Sequence, residues 1–543
     1  MEQLAKQHSH LENMVRKEIE QHDSEIANGS QYDLGSEARS VRAKSPTSGT
    51  NSEDDDLFED ARDDNEIYFH IPVPPTHRRT SSEESQAFKS ESSRDQDEDV
   101  TESDDEHRIK EETFKVVQQK TTMMDSPVKN GSNPALALKS SRVRRSRIPD
   151  KPNISFSLWS IMKNCIGKDL SRIPVPVNFS EPLSMLQRIS EDFEYADILD
   201  KAATCEDHCE QLAYVAAFTV SAFSTTGYRT GKPFNPLLGE TFELDRTEDL
   251  GFRLISEQVS HHPPMLAMYC EDSQRKWKSW QEFTMRSKFK GKYLEVEPLG
   301  IAHLEFPKSG NHYTWRKVKT IVHNIVLGKL WIDNVGEMEV INHRTGDKCH
   351  LKFEPYSYFG GVAKKVHGTV MNQDEKVEWV FNGTWDSKFE GAKVIGEAKN
   401  KGRATSLEVG PSRTLWKANT IDSASEKYYN FSKFACELNE IENGVAPTDS
   451  RLRPDQRFME EGRWDDANTE KVRLEEKQRA VRKNREAEAE QAAIDGVTYE
   501  GYQPTWFKKE IDDQNGGKLL YVYKGGYWES KNNQNWSDCP DIF

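Results

Sequence analysis

Two adjacent histidines followed by two prolines, His261-His262-Pro263-Pro264, are the residues of this chain best suited to chemistry. An imidazole can donate, accept or carry charge near neutral pH, so the pair suits a phosphate site, a metal site or a general base. A metal would need further ligands at suitable spacing, and a hydrolase a nucleophile such as the serine of a Gly-x-Ser-x-Gly elbow; the sequence offers neither. That leaves a phosphate site or two structural histidines. Pro263 disfavours helix at His262, which is expected to be extended, so both rings can serve one site only if the chain bends there.

Three other groups carry charge at positions that matter. Lys232 precedes Pro233, which places it in extended or turn backbone, free to project a point charge toward a phosphate or simply to be solvated. Lys471, Glu475 and Arg479 stand four residues apart and share one helix face; an exposed helix laced with salt bridges accounts equally well for them, and for their neighbours Arg473, Glu476, Lys477 and Arg482. Cys205 and Cys209 flank His208. Without a second ligand pair at zinc spacing they read as a buried helical thiol pair.

The elements that must position these groups follow from periodicity. A first amphipathic helix is expected from Phe156, Trp159, Met162, Ile166 and Leu170, and further helices over Met185–Ala203 and Leu212–Ser224. From Phe242 to about Gly396 short alternating runs such as Tyr293–Glu297, His303–Phe306, Tyr313–Trp315 and Glu378–Phe381 predict an antiparallel barrel. Ser450–Ala493 reads as charged helix, followed by an aromatic tail (Trp506, Tyr521, Tyr523, Tyr527, Trp528, Trp536) expected to pack back on the barrel. Residues 1–27 suit a short coiled-coil helix. Residues 28–149, rich in Ser, Asp and Glu, are expected to be a disordered acidic tail. The basic run Arg142–Arg147 at its end is either a solvated linker or a membrane or partner contact. The folded part is expected over 150–543.

Of the 543 residues, 35% are hydrophobic and 30% charged, and the net charge of -17 argues against a nucleic-acid binder with a broad basic face. Seven cysteines without framework spacing suit a reducing compartment. The longest apolar run, Leu212–Phe223, is too short to span a bilayer, and no secretory pattern opens the chain.

The string Glu257-Gln258-Val259-Ser260-His261-His262-Pro263-Pro264 resembles the signature of the oxysterol-binding protein family. The loop Lys232-Pro233-Phe234-Asn235-Pro236-Leu237-Leu238-Gly239-Glu240-Thr241 and the stretches Trp331–Asp333, Leu351–Tyr356, Gly383–Asp386 and Trp536–Phe543 resemble it too. The resemblance covers roughly residues 150–543. It implies an α+β domain: a large, partly closed antiparallel β-barrel around a lipid tunnel, with an N-terminal lid and a C-terminal helical and aromatic-rich segment. It implies a phosphoinositide headgroup site made by Lys232, Pro233, Phe234, Asn235, His261, His262, Lys471, Glu475 and Arg479, and a lid containing Leu170, Ser171 and Ile173. The implied ligands are a sterol and phosphatidylinositol 4-phosphate, exchanged between membranes, with no catalytic residue, cofactor or metal. A sensor and scaffold is the alternative.

The chain would be a short form without the N-terminal pleckstrin-homology domain of longer members. In the acidic tail, Phe58, Asp60, Ala61 and Asp63 match a motif that binds VAMP-associated proteins of the endoplasmic reticulum; Leu57 and Glu59 depart from it. A cytosolic protein acting peripherally at the endoplasmic reticulum and Golgi is expected.

Overall fold

The computed structural model describes residues 67–72, 111–118, 142–152, 177–290, 293–325, 330–356, 362–398 and 406–543. The 1–27 segment, the expected first helix, the lid residues Leu170, Ser171 and Ile173, and the tail motif at Phe58, Asp60, Ala61 and Asp63 lie outside them.

The alternating runs form one long antiparallel sheet. Each expected run falls inside a strand: Tyr293–Pro298, Ala302–Phe306, Asn311–Trp315 and Val377–Thr384. Three strands matter most for the site: β1 (Lys232–Phe234), β2 (Phe252–His261) and β3 (Pro264–Asp272). β2 follows a strand over Thr241–Arg246, with Leu244 opposite Leu254, and turns back into β3 with His261 opposite Pro264. The pairing continues strand by strand to Lys388–Ala398 and Arg413–Lys417. The sheet does not close completely, as the family resemblance implied.

Three helices matter for the site and the core: α1 (His208–Ser221), α2 (Pro454–Glu460) and α3 (Trp464–Ile494). Asp207 caps α1 by accepting the Cys209 and Glu210 N–H groups at 2.9 and 3.1 Å. Leu212, Val215, Phe218 and Val220 are all buried, so α1 is apolar nearly all round and lies in the core against the strands that end the barrel. At roughly 1.5–3 kcal/mol per buried large apolar side chain, this helix is held by packing rather than by propensity. α3 behaves oppositely: only Trp464, Ala467 and Leu474 are buried along its length. Its first three turns are anchored by these apolar side chains, and beyond them it is held by polar contacts such as those of Gln478 and Arg482. The expected helix over Met185–Ala203 is broken into Met185–Ser190, a 3-10 turn at Glu191–Phe193, and Asp197–Thr204.

The aromatic tail packs on the outer face of the same strands that carry the histidines. Ile255, Val259 and Ala267 are buried with Trp506, Phe507, Tyr521, Tyr527 and Trp528, while Phe252, Leu254 and Met268 face the barrel core. β2 is therefore buried on both faces, which is why its sequence does not alternate cleanly.

The basic run is not a free linker. Arg145 grips Glu460 through both Nη atoms at 2.7 and 2.9 Å, Arg142 bonds Glu442 at 2.5 Å, and Arg144 donates to the Asp245 carbonyl at 3.2 Å. Acidic groups on the domain surface outcompete water because Glu460 is already buried. The tail expected to be disordered over 28–149 also supplies two strands, Ile67–Pro72 and Glu111–Gln118. They pair with each other, and the second runs parallel to Ser406–Val409. An edge strand offers unpaired backbone groups, and short apolar runs in an otherwise polar tail can use them.

Candidate functional site: a histidine corner, a basic loop and a charged helix

The bend that the two imidazoles require is the β2–β3 hairpin, whose turn is His262-Pro263, joined by a cis peptide bond. The rings meet edge to face with centroids 4.8 Å apart. Behind them, Glu257 is completely buried and accepts the Thr505 and Trp506 N–H groups, both at 2.8 Å, and the Tyr502 hydroxyl at 3.2 Å. Burial pushes its carboxyl up to about 7, against the pull of these three donors. The signature glutamate thus ties the aromatic tail to the strand that ends in the histidines.

The basic loop is built on a buried ion-pair network. Arg453 donates to the Asn235 carbonyl at 2.8 Å and to Glu240 at 2.9 Å. Glu240 in turn accepts the Leu237 N–H at 2.9 Å and the Ser450 hydroxyl at 2.6 Å. The loop closes on Gly239, at φ +85°, where a Cβ would lie 2.8 Å from the Tyr502 hydroxyl; only glycine suits both demands. Phe234 points inward and packs with Val177, Met459, Trp464 and Ala467, so it joins the loop to the root of α3. Lys232 and Asn235 line a recess of about 60 Å³ together with Pro264, Met265, Phe283 and Met285. Pro264, which follows the histidine turn, thus shares this recess with the loop.

α3 supplies the third wall. Glu475 bridges the other two predicted residues, taking Lys471 on one oxygen and the Arg479 guanidinium on the other at 3.3 Å. The histidines find their direct partners one turn further on. Gln478 Nε2 lies 2.7 Å from His261 Nε2, and its Oε1 accepts the Leu238 N–H at 2.8 Å. Arg482 Nη1 lies 2.9 Å from His262 Nε2. Sequence reading passed over Gln478 and assigned Arg482 to a solvated salt-bridge face. Arg482 does pair with Glu486 at 3.2 Å, but it also reaches the histidine corner. The missed signal was the spacing: 471, 475, 478 and 482 form one stripe. His261 is held neutral, its pKa drawn down to about 4 by burial first and then by His262 and Arg482.

The suspected thiol pair does not form. Instead His208 bonds Asp347 at 2.5 Å, and the Cys209 thiol lies 3.5 Å from the same ring, its pKa pushed up to about 12 by burial. The three donor atoms lie within 4.8 Å of one another. Such a thiol is a poor nucleophile.

Among the described residues no helix is long and apolar enough to cross a membrane. The loop carries Lys232, and α3 carries Lys471, Arg479 and Arg482 near the imidazole pair, an arrangement that can bind a phosphorylated polyol.

The family described as oxysterol-binding protein matches residues 157–532. Mouse oxysterol-binding protein 2 is 53% identical over 406 residues, which is 74% of this chain and 44% of that protein, so the chain spans less than half of that relative. The Osh1 ORD domain solved in complex with ergosterol shares 38% identity at a TM-score of 0.65, covering 74% of this chain and 95% of that one. The Osh3 ORD of Saccharomyces cerevisiae, solved with PI(4)P, shares 34% at a TM-score of 0.60, covering 74% and 99%. The chain belongs to the oxysterol-binding protein family, whose members bind and transfer lipids.

Proposed function

We propose that the protein carries one lipid at a time in its barrel, either a sterol or phosphatidylinositol 4-phosphate, and exchanges the two between membranes. The observation that carries this reading is that Gln478 of α3 joins the Leu238 backbone of the basic loop to His261 while Arg482 meets His262, which brings loop, histidine turn and charged helix to one corner. Relatives solved with ergosterol and with PI(4)P support two ligands for one domain. A sterol has one hydroxyl and asks for few polar partners; a phosphoinositide asks for cations and N–H donors outside an apolar tunnel. Charge-assisted hydrogen bonds contribute roughly 1.5–3 kcal/mol each, so several convergent ones offset desolvation of the head. Transfer makes and breaks no covalent bond. The protein acts in the cytosol at the surfaces of the endoplasmic reticulum and Golgi, and Phe58, Asp60, Ala61 and Asp63 engage a VAMP-associated protein.

Replacing His261 and His262 with alanine tests the reading. Uptake of phosphatidylinositol 4-phosphate from vesicles should collapse while sterol uptake largely survives. Equal loss of both would make the pair structural. A wild-type chain that binds both lipids yet moves neither between vesicles would be a sensor.

A further inference from the structure

The hydrogen bonds between α3 and the histidine corner determine which ring nitrogens carry protons. The Leu238 backbone N–H can only donate, so the Gln478 atom that it meets at 2.8 Å must be the oxygen. The amide nitrogen then faces His261 Nε2 at 2.7 Å and donates to it. His261 Nε2 is therefore a lone-pair acceptor, and the proton sits on Nδ1. That Nδ1 is buried, with no partner in hydrogen-bond geometry. The same logic applies to the second ring. A guanidinium has no acceptor, so Arg482 Nη1, 2.9 Å from His262 Nε2, donates there too. Both imidazoles are neutral and both hold their proton on Nδ1.

Two neutral rings bring no charge to a phosphate that carries about -1.5 to -2. Arg482 brings that charge to the pair. Arg479 bonds a Glu475 carboxylate that is only 28% exposed, whereas Arg482, itself 52% exposed, meets His262 directly. Glu486, the acidic partner of Arg482, is itself 60% exposed at 3.2 Å, where solvent screens the pair and a dianion can compete for the guanidinium.

We propose that Arg482 contacts the phosphate of the headgroup directly and that Gln478 is a positioning residue that holds His261 in its Nδ1–H form. This rests on the phosphoinositide reading above and concerns residues outside the Lys471, Glu475 and Arg479 set. His262, exposed in the turn, shares the phosphate with Arg482, while His261 serves as the buried wall that Gln478 joins to the Leu238 backbone.

Two variants of the full chain test this, each read by uptake of phosphatidylinositol 4-phosphate and of sterol from phosphatidylcholine vesicles. Arg482→Gln keeps a donor for His262 and removes the charge. It should weaken phosphoinositide uptake roughly 10- to 100-fold, the worth of one charge-assisted bond, and change sterol uptake less than about twofold. Gln478→Glu presents only acceptors to His261 and should move its proton to Nε2, visible as an exchange of the two ring 15N shifts in histidine-labelled protein. Sterol uptake reports folding for both. A wild-type His261 protonated on Nε2 overturns the positioning role. An Arg482→Gln variant that takes up phosphoinositide like the wild type overturns the contact, with the functional reading intact. A wild-type chain that takes up none overturns that reading and the Arg482 role together.

Discussion

Arg453 is the residue on which the basic loop rests, and its replacement by methionine has a calculable cost. Its side chain is 3% exposed and makes four bonds: to the Asn235 carbonyl at 2.8 Å, to Glu240 at 2.9 Å, and to the two Asp455 oxygens at 2.7 and 2.9 Å. Methionine retains much of the stem but leaves two buried carboxylates facing each other. Removing one partner from a buried pair costs about 3–5 kcal/mol. An independent bound agrees: a stranded glutamate can cost no more than its protonation, about 3.5 kcal/mol at pH 7. Burial raises the Glu240 pKa even with Arg453 present, and losing the cation raises it further.

A carboxyl whose folded pKa lies above its unfolded one contributes fully below the unfolded value and loses that contribution as pH rises through the folded value. The deficit of Arg453→Met relative to wild type should therefore be largest at pH 8 and shrink toward pH 5. Urea unfolding followed by tryptophan fluorescence at several pH values measures it, with phosphoinositide uptake measured alongside because the Asn235 carbonyl loses its anchor. A deficit below about 1 kcal/mol, or one that does not change with pH, would refute the claim that this buried network positions the loop.

Two further outcomes follow from charge burial. His303, 1% exposed and stacked on Trp280 at 4.9 Å, has its pKa drawn down to about 3, chiefly by burial. Its contribution is complete above the unfolded pKa near 6.5 and is lost as pH falls, about 2 kcal/mol between pH 7 and pH 5. His303→Gln should flatten that slope in urea titrations; an unchanged slope would contradict it. Arg145→Ala removes the bidentate grip on Glu460 and should free the 142–152 strap, costing about 1–3 kcal/mol and speeding tryptic cleavage within it. Equal cleavage rates would show that the strap is held elsewhere.

Much of this protein is legible in its residues. Alternation marked the strands and the aromatic clusters of the tail announced a buried surface, whereas His262, expected to be extended, sits in the hairpin turn. These are local matters: backbone preference and periodicity act over a few residues, and sequence records them directly. The double burial of β2 was not legible, because the tail that covers its outer face comes some 250 residues later. Nor was the fate of Arg142–Arg147, since a run of arginines looks the same whether it faces water or Glu460.

The candidate site divides in the same way. The histidine signature and the other matching stretches were enough to place the chain in the oxysterol-binding protein family. Only the tertiary structure decided which residues of that helix meet the corner. A helix face is set by its rotation against the core, here through Trp464, Ala467 and Leu474, and that rotation brings Gln478 and Arg482 onto the two rings. Hydrogen-bond direction, and with it the position of the ring protons, exists only once those partners are in place.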